Sequence, residues 1–142
     1  MKNSFYPVLM CNDIRKEADF FIELFDFKET FNSDWYISLK DNDEFELALI
    51  DSSHDSIPKL YRKQCEGLIL NIEVNDVNTV YSEVISRKKS SLLLDIKNEE
   101  FGQRHFIIET PSKILVDIIQ IIPPSNEYLK NYKKSGKENE QK

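Results

Sequence analysis

The chain has 142 residues, of which 40% are hydrophobic and 11% are aromatic. This composition suffices for one domain that buries most of its apolar surface without disulfides or a structural metal. The net charge of -6 argues against a nucleic-acid partner, because binding a phosphate backbone needs a concentrated positive field. No apolar run approaches the roughly 18 residues that a membrane span requires, so we also expect no membrane partner.

The two cysteines and the N-terminal segment bear on the cellular compartment. Cys11 lies in a strand-like run and Cys65 in a charged connector, and two cysteines are too few for a disulfide framework. The start of the chain, "MKNSFYPVLMCND", turns polar too soon for a signal peptide. We therefore expect reduced thiols in a cytoplasmic protein.

The first half of the chain predicts a strand, a helix and three further strands. The run "FYPVLMC" is rich in β-formers, and Asp13 follows it at a position suited to cap a helix. Helical spacing places one set of residues on an apolar face, namely Ile14, Ala18, Phe21, Ile22 and Phe25. The opposite set is expected to face solvent, namely Arg15, Lys16, Glu17, Asp19 and Glu23. Three strand-like runs follow, "FKETFNS", "WYISLK" and "EFELALI".

The second half repeats this order. The pair Asn75-Asp76 closes the run "LILNIEV", as the pair Asn12-Asp13 closes the first strand. A second amphipathic pattern starts at Val77, and the strand-like runs "SLLLDI", "RHFIIET" and "ILVDIIQ" follow it. The halves thus predict two tandem βαβββ modules of a mixed α+β fold, which should pack around a shared concave surface.

These patterns set the boundaries. The modules cover about residues 4-51 and 66-122, and residues 52-65 connect them. Together they form a single domain over residues 1-130. The end of the chain, residues 131-142, has almost no apolar side chain, so we expect a disordered polar tail.

The repeat, the "ND[IV]" junctions and the segment "GQRHFIIETPSKILVDII" resemble the vicinal oxygen chelate superfamily over roughly residues 4-122. That superfamily includes glyoxalase I, bleomycin-resistance proteins, fosfomycin-resistance enzymes and extradiol dioxygenases. Its closing motif is matched or nearly matched at Gly102, Arg104, Pro111 and Asp117, whereas Thr110 and Lys113 depart from it. The segments "FGQRHF", "LVDIIQ" and "IPPS" are also similar to those of an uncharacterised bacterial glyoxalase-like subgroup. The resemblance implies a concave mixed sheet and a homodimer.

The resemblance also implies where a metal would bind. Metal-dependent members carry ligands, usually His or Glu, on the first and last strands of each module. Asp117 falls at the last-strand position of the second module, and one superposition matches it with Glu46, although a slip of two residues matches it with Ala48. The first-strand positions fall on Tyr6 and Ile69, which are poor or impossible ligands. We therefore expect no cofactor; if a divalent metal bound, Glu46 and Asp117 would be its ligands.

His105 and Asp117 are the candidate catalytic residues. A histidine pKa suits a general base, yet a lone strand histidine is more often a hydrogen-bonded structural residue. Arg104 and His105 are adjacent in a strand and must point to opposite faces, so only one of them shares a face with Asp117. An enclosed Asp117 is expected to pair with Arg104 or another internal donor. His54, in the connector, is expected to be exposed.

Aromatic side chains beside the strands favour ligand binding, since they combine apolar area with polar tips. The predicted ligand-binding residues are Tyr6, Trp35, Tyr36, Glu46, Arg104, His105 and Asp117. We expect a protein that binds or sequesters a small organic molecule without an obligatory metal, as bleomycin-resistance-like members do. The alternatives are a metal-dependent lyase, transferase or dioxygenase of this superfamily, and a non-catalytic interaction module whose cup is filled by its own side chains. Whether any reaction is catalysed stays open.

Overall fold

A computed structural model describes residues 1-133, and it confirms the two tandem βαβββ modules of an α+β fold. The first module consists of β1 (Val8–Cys11), α1 (Ile14–Phe25), β2 (Lys28–Asn32), β3 (Tyr36–Lys40) and β4 (Glu46–Asp51). The second consists of β5 (Ile69–Glu73), α2 (Val77–Arg87), β6 (Ser91–Glu99), β7 (Gln103–Glu109) and β8 (Leu115–Ile121). The connector holds a 3-10 turn at Lys59–Tyr61, and a short helix, α3 (Asn126–Leu129), follows β8.

Each module forms its own four-stranded mixed sheet. The strand orders are β1-β4-β3-β2 and β5-β8-β7-β6. In each sheet the first strand pairs parallel with the last, and the remaining neighbours are antiparallel. In the described part of the chain β1 and β5 are not paired with each other, so the expected concave sheet consists of two separate sheets.

Both long helices begin at the predicted caps. The Asp13 carboxylate accepts a hydrogen bond from the Lys16 backbone N–H at 3.1 Å, and the Asp76 carboxylate accepts one from the Thr79 N–H at 3.2 Å. These contacts satisfy N–H groups that have no partner within the helix. The repeated Asn-Asp pair therefore marks the same structural junction in both modules.

The helix-facing side chains of both sheets form one continuous core. Its fully buried members include Leu9, Phe21, Leu49, Val77, Phe106 and Ile118. The two modules thus share one apolar interior, as expected for a chain of this length.

The structure corrects the predicted position of Glu17. The sequence predicts it on the solvent side of α1, but its side chain is fully buried. Its Oε2 accepts a hydrogen bond from the Thr110 hydroxyl at 2.7 Å, and its Oε1 accepts one from the Ser112 N–H at 2.9 Å. A buried carboxylate needs such donors, and here they come from the β7–β8 turn. Glu17 therefore joins the first module to the second.

The two cysteines are closer together than their sequence contexts indicate. The Cys65 N–H donates to the Met10 carbonyl at 2.8 Å, and both cysteine side chains pack in the shared core. Burial, reinforced by the negative charge of Glu17, raises the pKa of the Cys11 thiol to about 12. Both thiols are free, and the thiolate form of Cys11 is strongly disfavoured.

After β8 the chain folds back over the turn between β6 and β7. The Ser125 N–H donates to the Glu100 carbonyl at 2.8 Å, and the Tyr132 hydroxyl donates to the Phe101 carbonyl. The Phe101 and Tyr128 rings meet edge to face at 6.2 Å. We call residues 122-132 the C-terminal strap.

The predicted tail, residues 131-142, starts within this strap, and residues 134-142 lie outside the described residues. In residues 1-133 no helix is both long enough and apolar enough to cross a lipid bilayer. The cytoplasmic location and the domain boundaries stay predictions.

Candidate functional site

Each sheet has one side that packs on its helix and one side that does not, and we call the latter the inner face. In the second module, Phe106 contacts Tyr81 of α2 with ring centroids 5.1 Å apart, so Phe106 marks the helix side. Side chains alternate along a strand, which places His105 and Ile107 on the inner face. Asp117 pairs directly with Ile107 and shares that face.

Arg104 lies on the helix side of β7. Its Nε donates to Asn78 Oδ1 of α2 at 3.1 Å, and a terminal nitrogen donates to Asn98 Oδ1 at 3.0 Å. The expected pair between Arg104 and Asp117 is therefore wrong. The second expectation, an internal donor other than Arg104, is the one that the structure shows.

That donor is His105, which lies between two carboxylates. Its Nδ1 is 2.7 Å from Asp117 Oδ1, and its Nε2 is 2.8 Å from Glu99 Oε2. The side chains of His105, Asp117 and Glu99 are 6%, 12% and 22% exposed. An ionised carboxylate can only accept hydrogen bonds, so both ring nitrogens must carry protons. The Glu99–His105–Asp117 cluster thus holds the histidine as an imidazolium.

The pKa shifts agree with this charge state. Burial of His105 lowers its pKa, but the hydrogen bonds and charges of Glu99 and Asp117 together raise it by more, so the net shift is upward. The hydrogen bond from His105 lowers the pKa of Glu99. An imidazolium with both N–H groups donating has no lone pair to accept a proton from a substrate. This geometry favours the structural interpretation of His105, and a catalytic role for His105 or Asp117 stays a prediction.

The strand registers identify the residue equivalent to Asp117 in the first module. Val8 and Asn71 each lie five residues before a helix cap (13 - 8 = 5 and 76 - 71 = 5), so they are equivalent positions. Val8 pairs with Ala48, whereas Asn71 pairs with Asp117. The superposition of Glu46 on Asp117 is therefore wrong, and the slip of two residues is the register that forms.

The same registers make Tyr36 the equivalent of His105. Tyr36 pairs with Ile50, two residues after Ala48, and His105 pairs with Ile119, two residues after Asp117. The first module thus has a phenol and a methyl group where the second has an imidazolium and a carboxylate.

The donors at the implied metal positions do not fit a divalent ion. Glu46 Oε1 lies 3.3 Å from the Lys40 ammonium, and Asp117 is engaged by His105. Glu99 and Asp117 lie on opposite nitrogens of the same ring, so the three side chains do not converge on one point. Within residues 1-133 no group of three His, Cys, Asp or Glu side chains is arranged to hold a metal. A hard divalent cation needs several converging oxygen ligands.

The inner face of the first module is aromatic. Burial raises the pKa of Tyr36, and the neighbouring Tyr6 phenol adds to this shift, whereas the Ser38 hydroxyl opposes it. Phe31 of β2 meets Tyr36 edge to face at 6.2 Å, and Trp35 meets it at 5.7 Å. We call Tyr6, Phe31 and Tyr36, together with Trp35 at their edge just before β3, the aromatic face. Its members are half-buried or exposed, unlike the closed cluster of the second module.

His54 belongs to the edge of this face, although the sequence predicts an exposed residue. Its ring stacks on Trp35 with centroids 3.7 Å apart and planes 5° apart. Its Nδ1 accepts a hydrogen bond from the Ser56 N–H at 3.1 Å, which leaves the other nitrogen to carry the proton. No motif in the sequence links the connector to Trp35, so this contact could not be anticipated.

Two cavities lie at the ends of the sheets. One, of about 240 Å³, is lined by Glu73, Val74, Asn75, Gln120 and Ile121. The other, of about 390 Å³, is lined by Asn3, Ser4, Phe5, Lys40, Glu44, Phe45 and Glu46. Neither of these two is lined by His105 or Asp117. Of the seven predicted ligand-binding residues, the structure brings Tyr6 and Trp35 next to Tyr36 and brings His105 against Asp117. Glu46 pairs with Lys40 and Arg104 with Asn78, so these two join neither group.

Comparison with known proteins identifies the fold. No family model matches the chain, and no curated protein sequence matches it. Solved structures do match: a glyoxalase/bleomycin resistance protein/dioxygenase family enzyme from Burkholderia phytofirmans PsJN superposes with a TM-score of 0.69 and 15% identity over 82% of this chain and 97% of that one. A glyoxalase/bleomycin resistance protein/dioxygenase from Nocardioides gives 0.70 and 11%, covering 86% and 85%.

A third structure, a superfamily member from Sphaerobacter thermophilus DSM 20745, gives a TM-score of 0.67 and 15% identity over 84% of this chain and 98% of that one. At such identities the likeness concerns the fold. This chain therefore has the fold of the glyoxalase/bleomycin resistance protein/dioxygenase superfamily, as the closing motif indicates.

Proposed function

We propose that this protein binds or sequesters a small organic molecule at the inner face of its first module, without an obligatory metal, in the manner of bleomycin-resistance-like proteins. One observation carries the proposal: the two modules differ at equivalent positions. The second module has a closed, charged Glu99–His105–Asp117 cluster, whereas the first presents Tyr36 and its aromatic neighbours.

The aromatic face has the properties of a ligand surface. Tyr6, Trp35 and Phe31 are 41%, 38% and 54% exposed, although aromatic rings gain most from burial. Grouped apolar surface with a few polar tips is typical of small-molecule sites. The hydroxyls of Tyr6, Tyr36 and Ser38 would fix the orientation of a ligand by hydrogen bonds.

The metal-free part of the proposal is supported by the hydrogen bonds of the acidic residues. Asp117 already accepts from an imidazolium, Glu46 is paired with Lys40, and the position equivalent to Asp117 holds Ala48. A metal-dependent lyase, transferase or dioxygenase would need to break these pairs and to recruit a third ligand.

A thermal-shift screen of small organic molecules in the presence of EDTA tests this function. We expect compounds that raise the melting temperature of the wild type, since a ligand that binds only the folded state stabilises it. Tyr6→Ala should bind such a compound roughly fivefold more weakly, because an aromatic contact contributes about 1 kcal/mol. Tyr61→Ala is the matched control, since Tyr61 is 70% exposed in the connector.

Two results would contradict the proposal. The first is binding that appears only when a divalent ion is added. The second is one tightly held metal per chain in protein purified without chelator, lost on Asp117→Ala. Either would redirect the work to the metal-dependent enzyme reactions of this superfamily.

The homodimer implied by the resemblance is part of the same proposal. Val8, Ile69 and Ile121 are 43%, 54% and 61% exposed on the strands, and such apolar surface is typical of subunit contacts. Sedimentation velocity should give twice the chain mass of 16.7 kDa, and a monomer at all concentrations would contradict this part.

A further inference from the structure

The larger cavity is a groove between the N-terminal segment and the β3–β4 turn. We call it the terminal groove, and its lining residues are Asn3, Ser4, Phe5, Lys40, Glu44, Phe45 and Glu46. Its volume of about 390 Å³ lies within the range typical of small-molecule sites. Only Glu46 among these residues carries a predicted ligand-binding role.

The backbone builds one wall of this groove from the segment that precedes β1. The Ala48 N–H donates to the Pro7 carbonyl at 3.0 Å, and this bond belongs to the first parallel pair of β1 and β4, Val8 with Ala48. Phe5 lies three residues before β1 and Phe45 directly precedes β4, and both line the groove. Two phenylalanines thus line the same groove at one end of the sheet.

The opposite wall is a turn with a defined backbone. Asp41 Oδ1 accepts hydrogen bonds from the Asp43 N–H at 3.0 Å and from the Phe45 N–H at 2.9 Å. Glu44 has a φ of 69°, in the left-handed region that a residue with a side chain rarely occupies. These contacts hold Phe45 in a fixed position at the rim of the groove.

Both aromatic rings in the groove are open to solvent. Phe5 is 90% exposed and Phe45 is 68% exposed, so neither contributes much to the stability of the fold. An exposed pair of rings beside a cavity of this size is a surface that an apolar group can cover.

The charges around the groove are predominantly negative. The Lys40 ammonium lies 3.0 Å from Glu44 Oε2 and 3.3 Å from Glu46 Oε1, so one positive charge faces two negative ones. Asp41 and Asp43 in the same turn add to the negative side. Together with Lys40, its strand neighbour Lys28 and Lys2, next to the lining residue Asn3, offset all but one of these negative charges. The whole chain, at -6, has the same sign.

We propose that the terminal groove binds an organic monocation, with its aromatic or aliphatic body between Phe5 and Phe45 and its charge facing Glu44 and Glu46. This inference goes beyond the proposed function, because the terminal groove shares no residue with the aromatic face. The face of a phenyl ring attracts a cation, and the surplus carboxylate charge adds to that attraction. An anion of the same shape would contact the same rings, but the carboxylates around the groove would repel it.

Two probes of similar shape and opposite charge test the ligand class. Tetraphenylphosphonium and tetraphenylborate are each titrated into the wild-type protein by calorimetry at low ionic strength, and the site is mapped by amide chemical shifts. We expect one phosphonium per chain, with shifts at residues 3-5 and 44-46. Tetraphenylborate should bind at least roughly tenfold more weakly, because only the charge differs.

Variants at exposed positions test the location without disturbing the fold. Phe45→Ala should weaken phosphonium binding roughly fivefold, since it removes one ring that faces the cation. Glu44→Gln should weaken it roughly two- to fivefold, as expected for an exposed ion pair, and should reduce its dependence on salt. Glu127→Gln, which makes the same change of net charge on the exposed side of α3, should leave binding unchanged.

Equal binding of both probes, shifts that lie away from the groove, or undiminished binding by Phe45→Ala would overturn the inference. In that case a screening hit that is lost in Tyr6→Ala still supports ligand binding by the aromatic face. If neither probe binds and the screen also yields no compound, the inference and the proposed function both fall.

Discussion

His105 shows how two neighbouring carboxylates decide the state of a buried histidine. Its pKa lies above the ordinary 6.5 because Glu99 and Asp117 outweigh the effect of burial. The stabilisation by the imidazolium is fully present below the pKa of the unfolded histidine and is lost as the pH rises through the higher folded value. The pKa of Glu99 lies below 4.5, so its contribution is present above 4.5 and is lost as the pH falls through the lower folded value.

The free energy of unfolding should therefore receive its largest contribution from this cluster between about pH 4.5 and 6.5, and should decline above that range. Urea denaturation at several pH values measures the decline, and the two histidines can be followed separately by NMR. The same pH dependence in His105→Gln would show that another group causes it. His54→Gln is the matched control, because His54 stacks on Trp35 and faces no carboxylate at hydrogen-bonding distance.

Glu17 gives a second prediction for a single residue. Glu17→Gln keeps the shape of the side chain but places an amide group against the Thr110 hydroxyl or the Ser112 N–H. We expect a loss of about 1-3 kcal/mol in the free energy of unfolding, the usual cost of an unsatisfied buried donor. Asp19→Asn is the control, because the Asp19 side chain is 50% exposed and its change should stay within about 0.5 kcal/mol. Equal effects of the two substitutions in urea denaturation would contradict the structural role.

These residues also show what the sequence could not predict. Glu17 lies in a polar run, and its partners are 93 and 95 residues away, so no local pattern reveals its burial. The register of Glu46 is ambiguous for a different reason: a shift of two residues keeps every side chain on the same face of a strand. The sequence predicts that Asp117 pairs with Arg104 or another internal donor, but it does not identify His105 as that donor.

At the level of elements, the C-terminal strap depends on the turn that it covers. Gly102 has a φ of 107°, and a Cβ at this position would lie 3.1 Å from both the Ile122 carbonyl and the Tyr132 hydroxyl. Gly67 has a φ of 70° but nothing within 4 Å of its added Cβ. Alanine substitutions at the two positions therefore distinguish the effect of steric contact from that of backbone strain: Gly102→Ala adds both, and Gly67→Ala adds strain alone.

Gly102→Ala should lower the free energy of unfolding by about 1-3 kcal/mol and loosen the strap, because strain and contact act together. Gly67→Ala should cost about 1 kcal/mol from backbone strain alone. Limited proteolysis reports the strap directly: we expect new cleavage within residues 122-132 in the first variant and not in the second. Equal cleavage of both variants would show that the strap does not depend on the Gly102 contact.

The elements themselves were largely predictable. Helical spacing after Asp13 and Asp76 places both caps correctly, since capping chemistry is local. The number of sheets was not predictable in this way. Whether the two modules share one sheet or form two depends on contacts between residues that are distant in the sequence. The contact of His54 with Trp35 is missed for the same reason.

At the level of the whole molecule, the duplicated βαβββ pattern predicts the superfamily fold, and the solved structures share it. It does not predict that the two modules have diverged in chemistry. One inner face is aromatic and open, and the other holds the charged Glu99–His105–Asp117 cluster. Two modules with the same fold can carry different side chains on their inner faces, because the fold depends on the apolar pattern and the function depends on particular side chains.

The contact of Glu17 with the β7–β8 turn has a consequence for biosynthesis. Chains are made from the N-terminus, and α1 leaves the ribosome long before Thr110 and Ser112 exist. Until then the Glu17 carboxylate lacks the donors that make its burial favourable, so it should remain hydrated and the first module should stay loose. The β7–β8 hairpin, which is synthesised long after α1, is thus the element that completes the fold of the first helix.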